Sequence, residues 1–186
     1  MKKFIQLFII STITIMLSVS ILNWYVDPMW AFNHKQPLLP LKEEFDERQQ
    51  KTNLVYFRDF NYDGIMIGSS TMTIVNQTEV KQHKVFNYAA NAMSLYEFNN
   101  FIEYAKKKNG KDFKVLILGI DLWSIEVAKK INTYDFENLI NKTENPFYKI
   151  KMLLSTDILK FTKTNIYFNA KESAYAHHFK IYNGNL

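Results

Sequence analysis

Cysteine is absent from the chain, which excludes disulfides, thiol nucleophiles and cysteine metal sites. Histidine is scarce. The four present, His34, His83, His177 and His178, form no ligand spacing such as His-Glu-x-x-His, so no metal is expected. No Gly-x-Gly-x-x-Gly or Walker lysine follows any apolar run, which speaks against a nucleotide-binding α/β domain, and no cofactor is expected. Basic residues outnumber acids only by 23 to 18 and are spread along the chain, so no nucleic-acid partner is indicated. Internal repeats and low-complexity linkers are also lacking. What is present is a chain of 186 residues, 47% hydrophobic and 16% aromatic, long enough for one domain with a real core.

The most apolar stretch comes first. Met1-Lys2-Lys3 precedes a run from Phe4 to Val26 without a formal charge, and about 20 residues suffice to cross a hydrocarbon core. Trp24 and Tyr25 stand where an interfacial aromatic belt would lie, and Asp27-Pro28 stops the helix. The leading lysines predict an amino terminus inside and the remainder outside, across a bacterial-type cytoplasmic membrane. A cleaved signal peptide is the competing reading, with Ser18-Val19-Ser20 as a small-x-small site. The apolar segment continues past that site, which favours a retained signal anchor over residues 1–26 with lipid around residues 4–26.

Residues 27–60 read as a juxtamembrane connector, holding three of the four prolines, followed by a charged helix. The charges of Lys42–Lys51 predict a solvated helix, with Arg48 and Lys51 as the alternative face for an anionic ligand. Residues 61–186 read as an α/β domain. Ile65–Ile67 is a buried strand, Gly68 a sharp turn, and Thr71–Val80 is helix-compatible. Lys84–Tyr88 is a second short strand, and Ser94 caps a helix over Leu95–Lys108 that ends at Asn109-Gly110. Lys114–Gly119, apolar on both faces, reads as a central parallel strand. Glu126–Ile140 and Pro146–Phe161 are helical or mixed, and the pattern fades past Thr162. Alternating strands and helices predict a three-layer, doubly wound parallel sheet.

Three segments fall at carboxyl edges of these strands: Gly68-Ser69-Ser70, Phe86 to Glu97 (Phe-Asn-Tyr-Ala-Ala-Asn-Ala-Met-Ser-Leu-Tyr-Glu), and Gly119-Ile120-Asp121. On its own, a Gly-Ser-Ser turn is most simply a helix cap. In this order, after a signal anchor, the three resemble the blocks of the SGNH/GDSL hydrolase superfamily. The branch resembled comprises membrane-anchored relatives acting in teichoic-acid D-alanylation and alginate O-acetylation. The resemblance spans roughly residues 27–125 and implies an SGNH/flavodoxin-like fold with Ser70 as nucleophile. Ser69 stands where the usual aspartate would be. Ala92 takes the place of a glycine whose backbone N–H serves the oxyanion hole, and Asp121 that of the oxyanion-hole asparagine. An ionised carboxylate would repel an oxyanion, so Asp121 is expected to cap the following helix or orient the Ser70 loop. Ser69, Asn91 and Arg48 are the candidate substrate contacts, Arg48 and Lys51 matching a basic pair often found ahead of the first strand.

A serine hydroxyl needs an adjacent base, which the family supplies from a late Asp-x-x-His. That tetrapeptide occurs nowhere here; the late candidates are His177 and His178, with His177 taken as base. The sheet is therefore expected to be incomplete at its carboxyl end. Two functions are carried forward. One is serine-dependent acyl transfer or ester hydrolysis on a surface glycan, alongside a membrane-bound acyltransferase. The other is a non-catalytic or truncated accessory protein of an envelope polysaccharide pathway.

Overall fold

A computed structural model describes residues 1–34, 45–122, 124–125 and 134–172. In chain order its elements are α1 (Lys2–Val26), α2 (Glu47–Phe57), β1 (Gly64–Gly68), α3 (Ser70–Thr73), a 3-10 turn (Gln77–Glu79), β2 (Val85–Asn87), α4 (Leu95–Asn109), β3 (Val115–Gly119), α5 (Phe136–Glu144), α6 (Tyr148–Leu153) and α7 (Thr156–Glu172). The fold is mixed α/β. The chain divides into two compact units, Met1–Phe45 with Asn145–Leu186, and Asp46–Glu144.

In the first unit, α1 is long and apolar enough to cross a membrane. Its scattered hydroxyls are accounted for internally. Ser11, Thr12, Thr14, Ser18 and Ser20 each donate to the carbonyl four residues back, at 2.8–2.9 Å, so no hydroxyl hydrogen needs water. Asp27 ends the helix in the left-handed region (φ 44). Its carboxylate then accepts the N–H groups of Ala31 (2.8 Å) and Phe32 (3.0 Å). One polar residue of α1 is fully buried: the Asn23 amide donates to the carbonyls of Leu153 (2.9 Å), Ser155 (3.2 Å) and Met152 (3.4 Å), while its Oδ1 accepts the Thr162 hydroxyl at 2.8 Å. Helix α7 runs to Glu172, past the point where the apolar periodicity fades, because its buried positions Thr162, Asn165 and Asn169 are polar. An apolar stripe is no guide to such a helix.

The second unit holds a three-stranded parallel sheet in the order β2-β1-β3. Every residue of β1 is buried, as a central parallel strand requires. The expectation that residues 114–119 form the central strand is corrected. Among the described strands β3 is an edge, and Leu116 and Leu118 lie exposed on one of its faces. The helix expected over Thr71–Val80 is shorter as well: one turn of α3, then a 3-10 turn. Helix α4 matches its expected span. The Ser94 hydroxyl accepts the Tyr96 N–H (3.2 Å), Glu97 accepts the Ser94 N–H (3.0 Å), and Gly110 closes the far end at φ 68, a capping box and a left-handed cap.

Helix α2 departs most from expectation. Instead of a solvated helix, Gln49 through Val55 are buried. Most of its polar side-chain groups are paired, Gln49 Oε1 being buried without a partner among the described residues. Gln49 donates to Asn53 (2.9 Å) and Thr143 (2.7 Å), the Thr52 and Tyr88 hydroxyls share a hydrogen 2.6 Å apart, and Lys51 Nζ donates to the Ala89 carbonyl at 2.7 Å. Burial also raises the Tyr88 phenol well above its ordinary pKa, so it stays a neutral donor or acceptor to Thr52.

Candidate active site at the carboxyl edge of the sheet

Strand register places Gly68 opposite Gly119 at the carboxyl ends of β1 and β3. In an open parallel sheet with this strand order, the crevice between those two ends is where ligands sit. The two glycines form a floor for Met72. A Cβ on Gly119 would lie 1.8 Å from Met72 Cγ; one on Gly68 would lie 2.4 Å from the same atom and 2.9 Å from the Gly119 carbonyl oxygen. The turn expected at Gly68 needs no glycine backbone, since its φ is not positive. What it needs is the missing side chain.

Met72 seats the single turn of α3, and Ser70 opens that turn. Ser69 and Ser70 are adjacent but differ in environment. Ser69 is buried and donates its hydroxyl to Asp121 in a very short hydrogen bond; its side chain caps nothing. Ser70 is exposed, and neither its hydroxyl nor its N–H is hydrogen-bonded to a described residue. The Asp121 carboxylate also accepts the Ser124 N–H (2.6 Å), while the Ser124 hydroxyl donates to the Asp121 carbonyl (2.7 Å). Asp121 thus ties the serine loop to the turn after β3. That turn is joined to the second segment in the same way: the Leu95 N–H donates to the Ser124 carbonyl at 2.9 Å.

The second segment is held from below by α2. Glu47 accepts the Asn91 N–H in a very short bond, Arg48 Nη1 donates to the Asn91 carbonyl (2.9 Å), and Lys51 holds Ala89. Arg48 is also paired with Glu97, at 2.8 Å from Nε and 3.2 Å from Nη2, and lies over the Tyr134 ring. Desolvation, with Asp46 nearby, raises the Tyr134 phenol above its ordinary range. Arg48 and Lys51 therefore anchor the loop that carries Asn91 and Ala92; the Asn91 side chain is exposed and bonds to no described residue. From the sheet side, the Ala90 N–H donates to the Gly68 carbonyl at 3.2 Å.

Ala92 is exposed and left-handed, at φ 53, and its N–H has no partner among the described residues. A Cβ in that region costs about 1–2 kcal/mol. Replacing Ala92 by glycine is therefore expected to raise the unfolding free energy by about 1 kcal/mol, read from the urea midpoint of the detergent-solubilised protein. A lower midpoint in Ala92→Gly would contradict the left-handed assignment.

Several contributors carried no sequence signal of their own. Asn87 donates to the Met72 (2.8 Å) and Val75 (3.1 Å) carbonyls and accepts the Ala89 N–H (3.0 Å), closing the end of α3 against the second segment. Met72 and Glu47 become visible only once distant loops are brought together. Glu97 was the exception: Ser94 and Glu97 have capping-box spacing. His177 and His178 lie outside the described residues. Among the described residues no group of three or more histidine, aspartate or glutamate side chains is placed to hold a metal. Comparison of the chain with protein-family models, with curated proteins and with solved structures finds no match.

Proposed function

We propose that this chain is a membrane-anchored, SGNH-like protein with a doubly wound, flavodoxin-like sheet. It acts in acyl transfer or ester hydrolysis on a cell-surface polysaccharide. The observation that carries the reading is the convergence of three separate segments on one sheet edge. An exposed serine whose hydroxyl and N–H bond to no described residue follows Gly68, and the loop tied to Gly68 through the Ala90 N–H carries left-handed Ala92, whose N–H likewise bonds to no described residue. In the proposed reaction the Ser70 oxygen attacks the acyl carbonyl while its proton passes to a general base. The N–H groups of Ser70 and Ala92 take the developing oxyanion. The donor leaves with that proton, and a glycan hydroxyl or water then releases the acyl group from Ser70. Asp121 has no part in the oxyanion hole, because its carboxylate is spent on orienting Ser69 and the turn after β3. In this reading α1 is the anchor, the leading lysines keep its amino terminus inside, and the domain works outside the cytoplasmic membrane with a surface glycan and a membrane-bound acyltransferase.

A specific observation favours the second reading, an accessory protein of an envelope polysaccharide pathway. No described residue is bonded to the Ser70 hydroxyl as a base. Labelling with a fluorophosphonate serine probe separates the two. An active site predicts labelling of the membrane-extracted protein that is abolished by Ser70→Ala. No labelling of the folded protein would leave the accessory role.

A further inference from the structure

The apolar length of α1 is divided unequally between free helix and packed helix. From Phe4 to Ser18 the helix is uncovered, a rise of roughly 22 Å at about 1.5 Å per residue. A hydrocarbon core is about 30 Å thick and takes about 20 residues of helix, which from Phe4 ends at Asn23. The last part of any span therefore includes the stretch from Val19 on, where α6 and α7 pack against α1. Asn23 is bonded to carbonyls at the end of α6 and to the Thr162 hydroxyl of α7, so both helices meet α1 at the depth where headgroups begin.

Helix α6 has an apolar face that stays exposed among the described residues of its own unit. Phe147, Ile150 and Leu154 are 61%, 54% and 42% exposed, and their spacing of three and four residues puts them on one side of the helix. Lys151 is exposed on the same side, whereas Tyr148 and Met152 on the opposite side are buried. A short apolar stripe beside a cation matches an interfacial element, with side chains in the acyl boundary and an ammonium among lipid phosphates. Trp24, 44% exposed on α1, follows Asn23 at the level of an aromatic belt.

We infer that α6 is a membrane-surface helix that seats Phe147, Ile150 and Leu154 in the outer leaflet beside the exit of α1. The occupant of the face is the bilayer that α1 spans, and the inference rests on that span. Its consequence is a fixed depth for the α6–α7 pair at the exit of the anchor, in place of a free tether.

The test uses the absence of cysteine, which makes every introduced cysteine a unique label. Ile10→Cys, Ile150→Cys and Lys107→Cys of the full chain are labelled with a nitroxide and reconstituted in phosphatidylcholine–phosphatidylglycerol vesicles. Collision with oxygen and with a water-soluble nickel chelate is then measured by power saturation. The expected oxygen-to-nickel ratio at Ile150 is at least threefold that at Lys107, which is exposed on α4, and approaches the ratio at Ile10. A ratio at Ile150 equal to that at Lys107, with Ile10 still in lipid, overturns the inference and leaves the span standing. Poor access of both reagents at Ile150 means protein covers the face, which also overturns it. An aqueous Ile10 removes the span and the inference together.

Discussion

Asn23→Leu is expected to lower the stability of the first unit by about 2–3 kcal/mol, the cost of leaving buried polar groups unpaired. Leucine has the branching and heavy-atom count of asparagine but cannot donate to the carbonyls of Met152, Leu153 and Ser155 or accept from Thr162. No other α1 side chain up to Val26 combines full burial with polarity, so no neighbour substitutes for it. The measurement is urea unfolding of the detergent-solubilised chain, followed by the emission of Trp30, which is buried in the same unit. Thr162→Val removes one bond of the four and is expected to cost about 1 kcal/mol. An Asn23→Leu protein with an unchanged midpoint would mean that the amide is not buried as described.

Gly68→Ala is expected to destabilise the second unit by about 2–3 kcal/mol, at the upper end of overpacking costs. The added methyl meets Met72 Cβ at 2.8 Å and the Gly119 carbonyl oxygen at 2.9 Å, and the latter is backbone with little room to retreat. Gly119→Ala behaves differently, because the three nearest atoms its methyl meets all belong to the Met72 side chain. In that case Met72→Ala is expected to restore most of the loss, a coupling of at least 1 kcal/mol in a double-mutant cycle. The same cycle applied to Gly68→Ala is expected to recover only part. Additive effects for Gly119 and Met72 would show that the methionine does not rest on the glycine floor. Both glycine variants displace the turn that begins with Ser70, so loss of probe labelling is expected to track the loss of stability.

The strands, α1 and α4 were legible in the sequence because each announces itself locally. The signals were short apolar runs, an uncharged run of spanning length, and a capping serine with Asn109-Gly110 at the far end. The position of the strands in the sheet was not legible. Val115–Gly119 is as apolar as a central strand, yet it lies at an edge with Leu116 and Leu118 exposed, and strand order is a property of chain crossings that no single run encodes. Helix α2 misled in the opposite direction. Its glutamines, lysine and threonine signal solvent, yet Gln49, Lys51 and Thr52 are buried against partners far along the chain, Thr143, Ala89 and Tyr88. The candidate site was legible as three segments but not as a constellation. Ser69 and Asp121 are 52 positions apart, and nothing in either segment foretold that the buried serine, not the exposed one, would take the carboxylate. Arg48 was read as a ligand contact from its charge, while its actual partners, Glu97 and Asn91, required the fold to be known.

The discontinuous first unit also sets a timetable for biosynthesis. Asn23 and Met152 are 129 positions apart, which at roughly 5–20 residues per second of translation separates their emergence by about 6–26 s. Throughout that interval α1 has been made and its partners on α6 and α7 have not, so the Asn23 amide waits without them. The whole of Asp46–Glu144 is synthesised within the same delay, longer than most domains of that size need to fold. Translation order alone therefore makes the sheet mature first and the anchor's docking the closing event of assembly.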